Sequence, residues 1–211
     1  MSGICKKTLK RVHNQINKLF RSVYLRKLRK GFQNHSLSVF SSNCVGGCML
    51  HDLGVRFQSP LVNLFMDAKD YLKFLSKPKE YLALTLVEEK TDLPYPVGHL
   101  GDLTLHFVHY KSFSDAVDSF AARTQRINYD NLFVIFCERD GCTYEDLLTF
   151  DALPYSHKVV FTHTPYEDIR SAFYIRGYEE QDCLGDILKW DRKLGRKIYD
   201  RFDFASWLQQ S

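Results

Sequence analysis

A short apolar run followed by a pair of glycines constrains the fold of this chain most strongly. The stretch is LSVFSSNCVGGCMLHD, residues 37–52. Residues 37–40 predict a buried strand, and Gly46 and Gly47 predict a tight turn after it. A helix is predicted from residue 48 to residue 53. A strand, a turn and a helix N-terminus gather backbone N–H groups at the carboxyl edge of a sheet, where open α/β folds bind anionic groups.

Strands and helices alternate along the rest of the chain. The continuous apolar run Leu132–Phe136 is typical of a central strand in a parallel sheet. Further strands are predicted at residues 81–87, 103–109 and 158–161, and helices at 1–30, 67–75, 113–127, 144–150, 165–177 and in pieces over 185–210. This order predicts an α/β fold of three layers, with a mainly parallel or mixed sheet that is Rossmann-like.

The length of 211 residues suits one hydrophobic core. We therefore expect a basic helical arm over residues 1–31 and a single α/β domain over residues 32–211. No apolar run approaches the roughly 20 residues that span a bilayer, and no apolar signal-peptide segment follows the basic N-terminus. The expected location is the cytoplasm, where the six cysteines would be reduced.

The N-terminal arm combines positive charge with a helical apolar pattern. Residues 1–30 contain ten basic residues and no acidic ones. The apolar residues recur at helical spacing: Leu9, Val12, Ile16, Leu19, Phe20, Val23 and Tyr24. One interpretation is a peripheral contact with anionic lipids at the inner face of the membrane. The other is an ordinary helix packed on the body by its apolar stripe. Nucleic acid is not expected as a partner, because the basic residues are not continued elsewhere or interleaved with aromatic ones.

The glycine segment supplies the first candidate site. Its amides would hold a phosphate or carboxylate, with Gly46 and Gly47 in the turn and Asn43 or Cys44 facing the ligand. A cysteine at a helix N-terminus has a lowered pKa, so Cys44 is also a candidate nucleophile. His51, one turn into the predicted helix, is a candidate ligand contact. The alternative is a tight turn with a buried cysteine.

Two carboxylates follow the central strand. Glu138 and Asp140 are separated by one residue and precede a glycine. They are therefore candidate ligands of a divalent cation that also holds a nucleotide diphosphate. The alternative is a solvated turn. No other cofactor is indicated by the sequence.

The third predicted strand ends in His109-Tyr110-Lys111. His109 is a candidate general acid or base, with Asp140 as the other candidate base, and Lys111 is a candidate contact for an anionic group. A histidine on an apolar strand is also often a hydrogen-bonded core residue. We expect the turn near Cys44, the end of this strand and the carboxylate of Asp140 to line one pocket.

Three stretches resemble a bacterial family of uncharacterised domains whose members are often described as exopolysaccharide or capsule biosynthesis proteins. They are SNCVGGCMLHDLGVRFQSPLVNLFM, YPVGHLGDLTLHFVHYKSF and INYDNLFVIFCERDGCTYEDLLTFDALPYSHKVVFT, and the similarity spans residues 38–207. The resemblance implies an α/β fold and work on bacterial surface sugars. The expected function is a transferase that moves a glycosyl or acyl group from an activated donor to a glycan acceptor. The alternative is a non-catalytic sugar-nucleotide-binding or assembly subunit.

Overall fold

The computed structural model describes the backbone of residues 3–210 and the side chains of residues 11–210. The helices are α1 (Gly3–Gly31), α2 (Cys44–Leu53), α3 (Ala68–Ser76), α4 (Pro78–Leu82), α5 (Phe113–Thr124), α6 (Tyr144–Ala152) and α7 (Phe204–Trp207). The strands are β1 (Ser38–Ser41), β2 (Leu86–Glu89), β3 (Val97–Leu100), β4 (Leu103–His106), β5 (Leu132–Cys137), β6 (His157–Thr162) and β7 (Ala172–Tyr174).

The main sheet has four parallel strands in the order β1-β5-β6-β7. All six residues of β5 are buried, because its alternate side chains enter two hydrophobic cores on opposite faces of the sheet. Helices α3, α5 and α6 pack on one face, and α2 and α7 pack on the other. The prediction of an α/β protein with a parallel sheet is therefore confirmed. The strand order does not reverse along the described chain, whereas a Rossmann fold has such a reversal at its nucleotide site.

The middle of the chain forms a second sheet that the sequence did not predict. Strands β2, β3 and β4 are antiparallel and form a separate sheet of three strands. Residues 103–106 lie in this sheet, although the sequence analysis assigned them to the parallel one. The strand predicted at residues 81–87 is partly wrong, since Pro78 begins the short helix α4 and pairing starts only at Leu86. The helix predicted at residues 165–177 is also wrong, because this segment contains β7.

The small sheet is attached to the end of β1. Phe65 exchanges two backbone hydrogen bonds of 3.0 Å with His106, and the rings of these residues stack with centroids 4.4 Å apart. The backbone N–H of Met66 donates to the carbonyl of Ser42, just beyond β1. These contacts bring the loop after β4 to the carboxyl edge of the parallel sheet.

Helix α2 begins four residues earlier than predicted. Its N-cap is Asn43, whose side-chain oxygen accepts a 3.1 Å hydrogen bond from the N–H of Val45. Gly46 and Gly47 therefore lie inside the helix and do not form a turn before it. A Cβ atom on Gly46 would lie 2.8 Å from the Cβ of Ser41, so glycine allows α2 to lie directly against β1.

Helix α1 ends at Gly31, as predicted, but its orientation differs from that of an ordinary amphipathic helix. Its polar residues Asn17 and Arg21 are buried against the rest of the protein. Most of the apolar stripe faces solvent, so the interpretation that this stripe packs on the body is wrong for all its described members except Tyr24, which is partly buried against Arg196. Leu9 belongs to the predicted stripe, but its side chain lies outside the described residues. No helix in the described part of the chain is both long enough and apolar enough to cross a bilayer.

Candidate functional site

A cavity of about 290 Å³ lies at the carboxyl ends of β1 and β5. Asn43 and Cys44 line it from the end of β1, and Arg139 and Asp140 line it from the end of β5. The segment 184–188 covers the cavity and is fixed by a 2.8 Å hydrogen bond from the N–H of Leu184 to the carbonyl oxygen of residue 138. The structure thus brings the segment near Cys44 and the acidic turn to one cavity. The segment 184–188 has no periodic hydrophobic pattern, so its place beside the cavity could not be predicted from the sequence.

The amides at the start of α2 are partly satisfied by the chain itself. The side chain of Asn43 accepts from the N–H of Val45, and the hydroxyl of Ser41 accepts from the N–H of Gly46 at 3.2 Å. Gly46 is buried against β1, whereas Gly47 lines a neighbouring cleft. The start of α2 therefore does not present the open row of backbone amides that was expected to hold an anion.

Cys44 has the opposite acidity from the one expected. Burial raises the pKa of its thiol to about 11, and the nearby thiol of Cys48 adds to the increase, while the charge of Arg139 opposes it. The expectation of a lowered pKa is wrong, because burial disfavours the charged thiolate. At neutral pH the thiol is protonated and is a weak nucleophile.

Asp140 is held in place by its backbone. Its φ of 56° lies in the left-handed region, which aspartate and asparagine tolerate better than most residues. Its carbonyl oxygen accepts a 2.9 Å hydrogen bond from the N–H of Ala68 at the start of α3. The carboxylate lies 3.2 Å from Nε of Arg139. This geometry fixes a carboxylate at the wall of the cavity.

Glu138 does not line the cavity. Its Oε1 accepts a 2.6 Å hydrogen bond from the hydroxyl of Tyr166, and its Oε2 accepts from the backbone N–H of His163 at 2.8 Å and lies 2.6 Å from the ring Nδ1. Both carboxylate oxygens are therefore engaged by protein donors. Within residues 11–210, no group of three acidic, histidine or cysteine side chains is arranged to hold a metal ion. These contacts do not fit a cation shared by Glu138 and Asp140.

His163 is a partner that the sequence analysis missed. It directly follows β6, as Glu138 directly follows β5, and these strands are neighbours in the sheet. Because Glu138 and His163 each follow a buried strand directly, the alignment of the two strand ends could have indicated their contact. The hydrogen bonds between Glu138 and His163 connect the loop after β6 to the end of β5.

A second cleft of about 370 Å³ meets the cavity at Cys44, which lines both. Its basic and histidine side chains come from four parts of the chain: Arg21, His51, His109 and Lys197. His109 is exposed and reaches this cleft from the loop after β4. Lys111 does not take part, because it lines a different cleft beside residues 88–96. Of the histidine and lysine predicted together, only the histidine is close to the segment after β1.

The positive charge of Arg21 is already balanced by carboxylates of the protein. Its guanidinium forms ion pairs with the carboxylates of Asp52 and Asp200, and it donates a 2.8 Å hydrogen bond to the hydroxyl of Tyr199. That hydroxyl also donates to Asp52. Arg21 is therefore mainly a connection between α1, α2 and the C-terminal segment.

Lys197 is the basic side chain of this cleft that sequence reasoning missed. It forms no ion pair with any side chain of residues 11–210, and its ammonium lies 4.0 Å from the ring centroid of Trp190. Burial lowers the pKa of Lys197, and the charge of Arg21 lowers it further, while Asp52 opposes the shift. A partly buried lysine without a carboxylate partner favours the binding of an anion.

These features define an α/β protein with a strand-end cavity that adjoins a cleft lined by two histidines and by a lysine that is unpaired within the described chain. The sequence model of the family described as "Domain of unknown function (DUF1919)" matches residues 15–209. The chain belongs to this family, so the predicted membership in a family of uncharacterised domains is confirmed. An uncharacterized protein of Haemophilus influenzae is 41% identical over 201 residues, a match that covers 95% of this chain and 98% of that protein.

Proposed function

We propose that the chain is a transferase that takes a glycosyl or acyl group from an activated anionic donor. We further propose that it acts at the cytoplasmic face of the membrane, in the assembly of a bacterial surface polysaccharide. The reaction class is supported by the site, whereas the polysaccharide setting is supported only by the resemblance of the three sequence stretches to that family. The ligand would then lie at the carboxyl ends of parallel strands, the edge at which open α/β sheets bind their ligands.

The observation that carries the proposal is the contact between two unlike sites at Cys44. The second cleft offers Lys197 together with His51 and His109, whereas the cavity offers the carboxylate of Asp140. Volumes of about 290 and 370 Å³ lie at the lower end of the range for small-molecule sites. An activated donor has the same two-part character, with an anionic carrier and a neutral group to be transferred.

The chemistry follows from this division. Nucleotide sugars and acyl-coenzyme A both carry a pyrophosphate, which Lys197 and His109 would bind in the second cleft. The acceptor hydroxyl gives its proton to Asp140, and its oxygen forms the new bond to the sugar or acyl carbon. The bond from that carbon to the phosphate oxygen or thioester sulfur breaks, and its electron pair leaves with the carrier. Cys44 is not used as a nucleophile, because its thiol is protonated at neutral pH.

Binding of the carrier is tested with uridine diphosphate and coenzyme A by isothermal titration calorimetry. Lys197→Ala should weaken binding of the preferred carrier by at least about tenfold, since a charge-assisted contact contributes about 1.5–3 kcal/mol. Lys193→Ala is the matched control, because Lys193 is exposed and does not line either site. Failure of both carriers to bind, or equal binding by both variants, would refute the assignment of the second cleft.

The catalytic role of Asp140 is tested by Asp140→Asn. Asparagine tolerates the positive φ of this position, so the substitution removes the charge with little backbone strain. The expected result is unchanged carrier binding and thermal stability with a loss of about 100-fold or more in transfer to glycan acceptors, as for removal of a general base. Transfer that continues at the wild-type rate would exclude Asp140 as the base.

The alternative is a non-catalytic sugar-nucleotide-binding or assembly subunit. The contacts of Glu138 favour it, because both oxygens of this carboxylate are engaged by protein donors and are not free to act on a ligand. A binding subunit should retain carrier binding that depends on Lys197 but should form no product with any donor. Asp140→Asn would then leave glycan production in cells unchanged, which separates this function from a transferase.

A further inference from the structure

The outer face of α1 is an apolar stripe that no part of the described chain covers. Its members are exposed by 39–69%: Val12, Ile16, Leu19, Phe20 and Val23. They lie three or four residues apart along the helix and therefore form one continuous face. A surface helix of a globular protein normally turns such a face towards the core. Here the face points away from it.

The opposite face of α1 is fixed by buried polar contacts. The side-chain oxygen of Asn17 accepts a 2.8 Å hydrogen bond from the N–H of Gly195, and Arg21 donates a 3.2 Å hydrogen bond to the carbonyl of the same glycine. A Cβ atom on Gly195 would lie 2.6 Å from the backbone carbon of Phe20, so the two segments are in direct contact. Rotation of the helix to bury its stripe would leave Asp52 and Asp200 without their guanidinium partner. The outward direction of the stripe is therefore built into the fold.

Positive charge surrounds the stripe. α1 contains no acidic residue, and within residues 11–31 the exposed basic side chains without a hydrogen bond to the described body are Arg11, Lys18, Arg26, Lys27 and Lys30. The guanidinium of Arg29 instead donates to the carbonyl oxygens of His51 and Asp52. Of the basic residues in this range, only Arg21 forms an ion pair with a described carboxylate. The outer face of α1 thus combines apolar side chains with uncompensated cations.

We propose that this face of α1 binds the surface of an anionic lipid bilayer. The apolar stripe would enter the boundary between headgroups and acyl chains, and the surrounding lysines and arginines would contact lipid phosphates. Each basic residue near such a surface strengthens binding by about fivefold at low salt. A second copy of the chain fits this face less well, because pairing two stripes would bring two sets of uncompensated cations together. The proposal does not rest on the function proposed for the cleft.

The experiment is co-sedimentation of the full chain with vesicles. The vesicles contain either phosphatidylcholine alone or phosphatidylcholine with phosphatidylglycerol. The wild-type protein should bind the vesicles that contain phosphatidylglycerol, and added salt should weaken this binding. Val23→Glu should weaken it by at least about tenfold, since the substitution removes an inserted side chain and adds a negative charge.

Val87→Glu provides a matched control. Val87 is 58% exposed and Val23 is 51% exposed, and Val87 lies on β2, outside α1. Both variants should keep the wild-type circular dichroism spectrum and melting temperature, because both positions are exposed. Val87→Glu should bind vesicles as the wild-type protein does.

Three results would overturn the proposal. The first is equal binding of the wild-type protein to both kinds of vesicle, or no binding to either. The second is unchanged binding by Val23→Glu. The third is a wild-type dimer in light scattering that Val23→Glu converts to a monomer, since a second copy would then be the partner that covers the stripe.

Discussion

The buried ion network of Arg21 makes the strongest prediction about stability. Arg21→Met removes the guanidinium but keeps most of the apolar stem. The carboxylates of Asp52 and Asp200 are only 10% and 2% exposed, and both would lose their cationic partner. Removing one partner of a buried ion pair costs about 3–5 kcal/mol, because the remaining charge is buried without compensation. For a chain of this length that loss corresponds to a fall of about 6–20 °C in melting temperature.

The free energy of unfolding is measured by urea denaturation followed by circular dichroism, with the slope of the transition compared between variants. Arg26→Met is the control, because Arg26 lies on the exposed face of the same helix and should change stability by no more than about 0.5 kcal/mol. Asp200→Asn in the Arg21→Met background should recover part of the loss, since it removes one of the stranded charges. A loss below about 1 kcal/mol for Arg21→Met, or no difference from Arg26→Met, would refute the reasoning.

Two further predictions concern α2. Gly46→Ala should destabilise the protein by about 1–3 kcal/mol, because the new Cβ would lie 2.8 Å from the Cβ of Ser41. The new Cβ of Gly47→Ala would lie 3.5 Å from its nearest atom, so this variant should be neutral or should stabilise the helix by up to about 1 kcal/mol. Urea denaturation compares the two, and equal effects would contradict the close contact of α2 with β1. Burial raises the pKa of Cys44 to about 11, so little of its thiolate is present at pH 8. The rate at which Cys44 is alkylated should therefore rise with pH until the pH approaches that value. Mass spectrometry after iodoacetamide treatment at pH 8 should find the exposed Cys183 labelled before Cys44, and faster labelling of Cys44 would indicate a lowered pKa.

The elements predicted well from the sequence are those whose signal is local. The apolar run of β5 is buried on both faces, as expected of a central parallel strand. Ser112 and Thr143 cap α5 and α6 through side-chain hydrogen bonds to backbone N–H groups three residues later. Such caps and runs depend only on neighbouring residues, so the sequence contains what is needed to find them.

The elements that were mispredicted depend on contacts between distant parts of the chain. Gly46 and Gly47 are typical turn residues, but the close approach to β1 is the reason that Gly46 occurs inside a helix. The apolar stripe of α1 was recognised, whereas its direction is set by the partners of Arg21 at residues 52 and 200. Lys197 belongs to the site only because the C-terminal segment returns to α2. No local pattern indicates such a return.

Helix α1 lies between the second cleft and the apolar stripe on the outer face of this helix. Arg21 on the inner side of α1 lines that cleft, and Val23, two residues later, points to solvent. An α-helix with its side chains is about 10–12 Å across, so the second cleft and the apolar stripe are separated by about this distance. If the outer face of α1 rests on lipid headgroups, as proposed above, a ligand in the second cleft would lie about that distance above them.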